Sequence, residues 1–524
     1  MKQNPSSKKK HGICYLVGAG PGDPGLFTIR GRECLSRAEV VLYDYLSNQE
    51  LLRYAPVDAE KIFVGKSARK HALSQEEINA LLVKKTQAGH CVVRLKGGDP
   101  FLFGRGGEEA QALAEADLSF EIIPGVTSAI GGLAYAGIPV THRSNNSQLT
   151  IFTGHEDPSK EVSSLHYKSL AMAPGTKVML MGVERLDAIT TSLMEAGMEA
   201  ATPAALVRWA TTGRHETITG TAATIARLAQ EKNFSAPAIA VFGEVVLLRK
   251  KLNWFETRPL FGRRIVVTRT REQASELVTG LRELGADVYE LPTIRIEAIE
   301  NKEEKAAFLE VVNYAHAYDW IVFTSPNGVS AFFEEFYHHH HDARALGAAR
   351  IAAIGPGTEK KIREYRFSVD LVPPTFVAES LLEELKKVGV ENLRILLPRA
   401  SGAREFLATA LEDLGAIVDD VPVYHTRREL DDKEGGIQRF LQEGADMITF
   451  ASGSSVEYFD ALLKNLGRRL PDYCHTASIG PITSSKMREL GVPISIEAKK
   501  HHIPGLVEAV VRFFDKDQPS SFLA

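Results

Sequence analysis

Short apolar runs bounded by glycine alternate with helix-periodic stretches through the first half of the chain: GICYLVG, FTIRGRECLSRAE, VVLYD, KIFVGK, EEINALLVKKTQAG and CVVRLKGG. Runs of strand length separated in this way predict βαβ units and a mostly parallel sheet. This group continues to about Ile138. A second group, LTIFTGH, KVMLMGV, AALVRWA and AIAVFGEVV, is spaced by longer polar stretches and predicts a second lobe, with a crevice between the two. After Val246, LRKKLNWFETRPLFGRR breaks the pattern and a fresh strand, RIVVTR, begins near Arg264, so a linker is expected at 251–261. Trp254 and Phe255 in so short a linker predict docked rather than freely tumbling halves.

The second half repeats itself. IVVTRTREQASELVTGLRELGADVYELPTI from Ile265 resembles ILLPRASGAREFLATALEDLGAIVDDVPVY from Ile395. DWIVFTSPNGVSAFF at Asp319 answers DMITFASGSSVEYF at Asp446, and IAAIGPGTEKKIRE at Ile351 answers TASIGPITSSKMREL at Thr476. Offsets of about 125 to 130 residues are too long for a solenoid. They describe one duplicated unit, giving two similar α/β domains whose strand-end loops line a shared cleft.

Composition narrows the function classes. A chain of 524 residues exceeds one ordinary core and allows three or four packed units. Hydrophobic content of 44%, charged content of 24% and a mean hydropathy of -0.11 describe a soluble globular protein. A net charge of -4 gives no global attraction for nucleic acid or anionic lipid, so a polyanionic substrate needs a local basic cleft. No stretch approaches about 18 uncharged apolar residues, which excludes a membrane-spanning helix.

Cys14, Cys34, Cys91 and Cys474 form no CxxC pair, so neither a zinc site nor a disulfide framework is indicated. They read as small buried hydrophobes of a reducing, cytoplasmic compartment. MKQNPSSKKKHG has the charge of a signal peptide's start without an apolar run behind it, so residues 1–11 are expected to form a solvated tail, as are 517–524. Four consecutive histidines, His338 to His341, cannot all face one ion from a helix. They are expected to end a surface helix, and no metal site is expected.

The candidate chemistry lies in two glycine-rich turns, GAGPGDPG from Gly18 to Gly25 and RLKGGDPFLFGRGGEE from Arg94 to Glu109, each following an apolar run. A dinucleotide turn requires GxGxxG, and Asp23 stands where the third glycine belongs. A carboxylate there repels a pyrophosphate and offers an acceptor to an amino-bearing or cationic ligand. Asp44, closing VVLYD, does sit where the ribose-binding acid of a dinucleotide fold would. Both turns nevertheless suit S-adenosylmethionine better.

These turns, with VGK at Val64–Lys66, PGVTSA at Pro124–Ala129, AYAGIPVTHR at Ala134–Arg143 and TGH at Thr153–His155, closely resemble the S-adenosylmethionine uroporphyrinogen-III methyltransferases of the tetrapyrrole methylase family. The resemblance covers residues 12–250, as lobes of about 12–140 and 141–250. From about 262 to 516 the chain resembles the uroporphyrinogen-III synthases. The implied fold is α/β: a two-lobed tetrapyrrole methylase fold followed by two similar parallel-sheet domains.

By resemblance, Pro21, Gly97, Gly98, Asp99, Leu102, Thr127, Ser128, Met181 and Ala210 surround S-adenosylmethionine. Glycines let the backbone approach a ligand closely, Asp99 can accept from an amino group or ribose hydroxyls, and Met181 offers a soft surface. Relatives often carry glycine at Ala210, so a contact there is expected through the backbone. The resemblance makes Asp44 the base that takes up the proton released from a methylated pyrrole, and Lys66 the proton donor. A substrate with eight carboxylates calls for fixed cations. Arg94, Lys96, Arg105 and Arg143 are candidates in the first half, and Arg269, Arg399 and Arg404 in the second.

In the second half the resemblance implies that Thr324, Ser325, Gly355, Thr358, Ser452 and Gly480 to Thr483 bind carboxylates through backbone amides and hydroxyls. Tyr424 in VPVYHT is the favoured proton donor, with a packed interface tyrosine as the other reading. Ala451 replaces the threonine or serine common in relatives. The implied protein is a cytoplasmic homodimer, with tetrapyrrole substrates and neither nucleic acid nor membrane as partner. It would close hydroxymethylbilane to uroporphyrinogen III and methylate that product twice, to precorrin-2. Two alternatives stay open: a methylase of a later corrin intermediate with an inactive second half, and a second half that is a ligand-binding module.

Overall fold

The apolar runs of the first half become five strands, β1 (Ile13–Gly18), β2 (Val40–Tyr43), β3 (Glu60–Phe63), β4 (Cys91–Lys96) and β5 (Ser119–Ile123). They form one parallel sheet in the order β3-β2-β4-β1-β5. This is a computed structural model describing residues 12–65, 73–155, 165–268, 271–291, 294–428 and 436–515. The expected tails, Lys66 and Arg269 lie outside the described residues. The chain divides into two compact units, Met1–Gly262 with Leu284–Asp287, and Arg263–Glu283 with Val288–Ala524.

Strand alternation sorts the first sheet's side chains onto two faces. Leu16, Leu42 and Val92 pack against Ile78 and Leu82 of helix Gln75–Gln87 and Leu113 of helix Gly106–Glu115. Val17, Val41, Val93 and Leu95 pack on the other face, with Leu35 of helix Ile29–Leu35 and with Leu51. Each such side chain contributes about 1.5–3 kcal/mol by burial. Helix Gln75–Gln87 starts at Ser74 because a capping box fixes it: the Ser74 hydroxyl accepts from Glu77 N at 3.2 Å, and Glu77 Oε2 accepts from Ser74 N at 2.7 Å.

The second lobe is built on β6 (Leu149–Thr153), β7 (Thr176–Leu180), β8 (Pro203–Arg208), β9 (Glu216–Thr221) and β10 (Ala238–Phe242), in the order β6-β7-β10-β8-β9. Only the β6–β7 pair is parallel; β7–β10, β10–β8 and β8–β9 are antiparallel. The helix Ser128–Tyr135, which follows β5, buries Ala129 and Leu133 against Val178, Val207 and Val241 of this second sheet and so joins the lobes.

The expected linker is a strap folded onto the first unit. Arg249 donates to Ala136 O at 2.6 Å and Trp254 Nε1 to Ala134 O at 3.0 Å. Phe255 is buried, its ring 4.9 Å from that of Tyr135 and 5.4 Å from that of His215.

The second half carries β11 (Arg264–Val267), β12 (Asp287–Glu290), β13 (Ile294–Glu297), β14 (Trp320–Phe323), β15 (Arg350–Ala353), β16 (Arg394–Ala400), β17 (Ile417–Arg428), β18 (Met447–Phe450), β19 (His475–Ser478) and β20 (Ile496–Glu497). They form two sheets, β12-β11-β18-β19-β20 and β13-β17-β16-β14-β15. Two similar domains are therefore present, but neither coincides with a sequence repeat. The first repeat supplies β11, β12, β14 and β15, and the second supplies β16 to β19. Each sheet joins the opening strand pair of one repeat to the closing pair of the other.

The crossings explain the exchange. β13 leaves the first of these sheets' territory to pair antiparallel with the far end of β17, Glu297 opposite His425 and Ile296 opposite Thr426. The same β17 pairs parallel with β16 from Ile417 onward. The core beside β14 is aromatic, with Phe323, Phe332, Phe333 and Phe336 fully buried. The histidine run ends that helix, Pro326–His339, with His339 beside Glu335 at 2.9 Å and His340 beside Val312 O at 3.2 Å. No helix among the described residues is long and apolar enough to cross a membrane.

Candidate functional site

The crevice of the first unit is built where β1, β2, β4 and β5 end. Gly20 N donates to Gly98 O at 3.2 Å and Gly98 N to Gly20 O at 2.8 Å, tying the two glycine-rich turns together. A Cβ on Gly125 would lie 2.3 Å from Gly98 O and 2.7 Å from Gly18 Cα, an approach only glycine permits. Gly98 itself has φ +67, and its open side faces Thr127 and Ser128, whose backbone atoms would lie 3.9 Å from an added Cβ. Thr127 caps the helix Ser128–Tyr135 by accepting from Ala129 N at 3.3 Å.

Asp44 follows β2 directly. Its Oδ1 accepts from Leu46 N at 3.2 Å, Ser47 N at 3.1 Å and Ser47 Oγ at 3.0 Å. Its Oδ2 accepts from Arg94 at 3.3 Å. The loop after it is anchored to the glycine turns, since Asn48 donates to Gly22 O at 2.7 Å and a Cβ on Gly97 would meet Leu46 Cβ at 2.7 Å. Asp44, the glycine turns and Thr127–Ser128 therefore share one edge of the sheet.

The second lobe closes this edge through the ends of β7 and β8. Thr211 Oγ1 accepts from Asp23 N at 2.9 Å, and the Trp209 ring meets that of Tyr45 edge-on at 5.9 Å. Met181 follows β7 with φ +56 and is half exposed. Leu102 packs with Leu180 and Ala210 in one core. Five bulky non-glycine residues here hold left-handed backbone: Phe103, Arg105, Met181, Trp209 and Thr211. Such strain concentrates at ligand clamps.

Several expected ligand contacts are already engaged. Asp99 accepts from Phe101 N at 2.8 Å on one oxygen and from Gly125 N at 3.0 Å on the other, so it fastens the two loops and keeps a lone pair on each oxygen. Asp23 Oδ2 accepts from Tyr135 Oη at 2.6 Å, and burial followed by that bond raises the Tyr135 phenol's pKa. Pro21 packs over Gly131, 3.1 Å from where a Cβ would stand. The Ala210 side chain is buried against Gly132, which leaves its backbone as the part able to meet a ligand.

The expected substrate cations are corrected for three arginines and lysines. Arg94 and Lys96 are each 4% exposed, and both bind Glu109 Oε1, at 3.2 and 2.7 Å. Burial, then the charge of Arg94, pull the Lys96 pKa down. Arg399 is likewise buried, forked onto Asp420 and donating to Arg404 O at 2.6 Å. Arg105, at the head of helix Gly106–Glu115, stays exposed beside Glu108 at 2.9 Å, and Arg143 and Arg404 are also exposed. Arg143 lies in the turn that His142 and Asn146 close, and shares none of the contacts above.

In the second unit the expected residues fall at four helix starts. Ser325 and Ser452 cap helices Pro326–His339 and Gly453–Asn465 by accepting from Gly328 N at 3.0 Å and Ser455 N at 3.2 Å. Gly355 and Gly480 occupy the same place before Pro356–Glu364 and Pro481–Glu489, with Thr358 and Thr483 buried in those first turns. Thr324 and Ser325 follow β14, Gly355 follows β15, Ser452 follows β18 and Gly480 follows β19, all at carboxyl ends of strands. Tyr424 of β17 has its ring in the core and its Oη 3.0 Å from Ser325 Oγ. Burial raises its pKa, against the lowering effect of bonds with Ser325 and Asn327, so the phenol is neutral.

Sequence reasoning missed Glu109, Gly125 and Tyr135. The signal for Glu109 was present: Arg94 and Lys96 share one face of a central strand, which requires a nearby counter-charge, and GGEE supplies it.

The chain matches the Tetrapyrrole (Corrin/Porphyrin) Methylases over residues 14–226 and Uroporphyrinogen-III synthase HemD over residues 275–508. It is 40% identical over 459 residues to the Porphyrin biosynthesis protein HemD of Ruminiclostridium josui, covering 87% of this chain and 90% of that one. It is 39% identical over 385 residues to a Uroporphyrinogen-III C-methyltransferase of Bacillus subtilis, covering 74% and 78%. Over 238 residues it is 50% identical to an S-adenosyl-L-methionine-dependent uroporphyrinogen III methyltransferase of Methanosarcina barkeri, covering 45% of this chain and 93% of that protein.

Proposed function

Because the chain belongs to the tetrapyrrole methylases in its first half and to the uroporphyrinogen-III synthases in its second, we propose that it is a bifunctional enzyme of tetrapyrrole synthesis. The second half closes hydroxymethylbilane to uroporphyrinogen III with loss of water. The first half methylates that product at C2 and C7, giving precorrin-2. The observation that carries this reading is the meeting of both glycine turns, the Gly125 loop and Asp44 at one sheet edge, faced by strained residues of a second lobe.

The residues present fit S-adenosylmethionine as methyl donor. The Gly98 backbone is open, with the backbone of Thr127 and Ser128 across from it, and exposed Met181 offers a soft sulfur surface. When bound, S-adenosylmethionine supplies an electrophilic methyl group on a sulfonium. Asp44, with a quarter of its side chain exposed and lone pairs to spare, takes up the proton released from the methylated pyrrole. Lys66 serves as proton donor, and exposed Arg105 and Arg143 pair with substrate carboxylates.

In the second half the bilane hydroxyl departs easily from an electron-rich pyrrole, so the protein's main task is to hold the chain folded for closure with ring inversion. Helix starts at Ser325, Gly355, Ser452 and Gly480 receive carboxylates on backbone amides. Tyr424, a neutral phenol, gives its proton to the departing hydroxyl, which leaves as water. The reading extends to a cytoplasmic homodimer paired through the methylase half, with no nucleic acid or membrane partner.

The test supplies the full chain with freshly made hydroxymethylbilane, with and without S-adenosylmethionine. Expected are the absorption of precorrin-2 when S-adenosylmethionine is present and the type III isomer alone when it is absent. Type I product only, from spontaneous closure, removes the synthase reading; type III product that stays unmethylated removes the methylase reading.

A further inference from the structure

Arg94, Lys96 and Glu109 form a charged cluster inside the first sheet that no substrate carboxylate can reach, since Arg94 and Lys96 are 4% exposed and Glu109 is 0% exposed. Arg94 and Lys96 lie two residues apart on β4, between β1 and β2, and face the helix that carries Glu109. Glu109 Oε1 gathers Arg94 Nε at 3.2 Å, Lys96 Nζ at 2.7 Å and Gln75 Nε2 at 3.2 Å. Buried ion pairs are a poor source of net stability, because desolvation offsets their attraction. What distinguishes this cluster is the one member that reaches solvent, Asp44.

We propose that Arg94, fixed by Glu109, is a positioning residue that sets Asp44 for proton uptake. The inference rests on the reading of Asp44 as the base. Arg94 cannot swing, because Nε is held by Glu109 and its second guanidinium nitrogen donates to Leu95 O at 3.0 Å. Only its third nitrogen is directed outward, to Asp44 Oδ2 at 3.3 Å. The other carboxylate oxygen, Oδ1, is occupied by Leu46 N, Ser47 N and Ser47 Oγ. Both oxygens are thereby located, and Oδ2 is the one less crowded by donors. The cluster thus joins two cations and two carboxylates, with Arg94 as the link between buried Glu109 and partly exposed Asp44.

The experiment measures methylation of uroporphyrinogen III by the full chain in Asp44→Asn, Arg94→Gln, Arg94→Lys, Glu109→Gln and the double variant Asp44→Asn/Arg94→Gln. Adenosylhomocysteine binding by calorimetry reports whether the first unit is folded. Arg94→Gln is expected to lower kcat about 10- to 100-fold with KM and adenosylhomocysteine affinity within about twofold. Arg94→Lys, which keeps the charge without the fork, is expected to recover part of the loss. In the Asp44→Asn background, removing Arg94 is expected to cost less than about twofold more.

A wild-type kcat in Arg94→Gln beside a slow Asp44→Asn overturns Arg94's role alone. Full multiplication of the two losses in the double variant does the same. Should Arg94→Gln fail to bind adenosylhomocysteine, Glu109→Gln decides: a kcat lowered about threefold or more with normal binding supports the proposal, and an unchanged kcat overturns it. A wild-type rate in Asp44→Asn instead removes the reading of Asp44 as the base.

Discussion

The two halves place their candidate sites at the same kind of location, the carboxyl ends of parallel strands, and build them by opposite means. In the first unit, glycine backbones meet at distances no side chain allows, and five bulky residues hold left-handed conformations around them. In the second, the site residues sit at ordinary helix starts: Ser325, Gly355, Ser452 and Gly480 are all extended. Among the described residues, the left-handed non-glycine residues there, Arg366 and Asn392, lie elsewhere, at a helix end and a turn. On the proposed function, the strained backbone would clamp a small, asymmetric methyl donor, and repeating one unstrained anion-binding element would hold a large substrate carrying many carboxylates.

The sharpest way to break this contrast is to add one methyl group to each site. Gly125→Ala puts a carbon 2.3 Å from Gly98 O, and methylation is expected to fall more than about 100-fold while bilane cyclisation is retained. Gly357→Ala, in the first turn of helix Pro356–Glu364 beside the second site, meets nothing within 4 Å and is expected to leave both activities within about twofold. Equal tolerance of the two substitutions in paired assays would mean that the backbone approach is not what grips the donor.

Next in size is Tyr424→Phe. Cyclisation is expected to slow about tenfold, with methylation of supplied uroporphyrinogen III unchanged. An unaltered cyclisation rate would leave Tyr424 as a packing residue whose hydroxyl merely satisfies Ser325.

Smaller effects separate the halves by stability. Burial pushes the Glu256 carboxyl up, but bonds with His215 and Arg249 outweigh it and hold its pKa at about 2. Its stabilising contribution is therefore complete above about pH 4.5 and lost as pH falls toward 2. Glu256→Gln is expected to cost about 1.5 kcal/mol at pH 7 and less at pH 3, as measured by denaturant unfolding of the first unit. Ser452→Ala removes one helix cap and is expected to cost about 1 kcal/mol, with a modest rise in KM for the bilane.

Much of this was legible in the sequence because strand spacing and glycine turns are local signals. The parallel first sheet, the second lobe and the internal duplication follow from apolar runs and their intervals. What was not legible depends on partners distant in sequence. Arg94 and Lys96 read as substrate cations because their types suit carboxylates, but Glu109 draws them under the sheet. Asp99 read as a ligand acceptor, and its further part in fastening the Phe101 and Gly125 loops was not visible. The exchange of strands between repeats was hidden for the same reason: repeat similarity fixes which segments are alike, and pairing fixes which ones meet.

That exchange has a consequence for the origin of the second half. One repeat alone owns an opening pair for one sheet and a closing pair for the other, so it can finish neither. A lone copy with this strand partition would complete both sheets by trading arms with a twin across a twofold axis. Fusing the two copies makes that trade permanent, so a nick near Glu391, between the repeats, should yield fragments that are soluble together and insoluble apart.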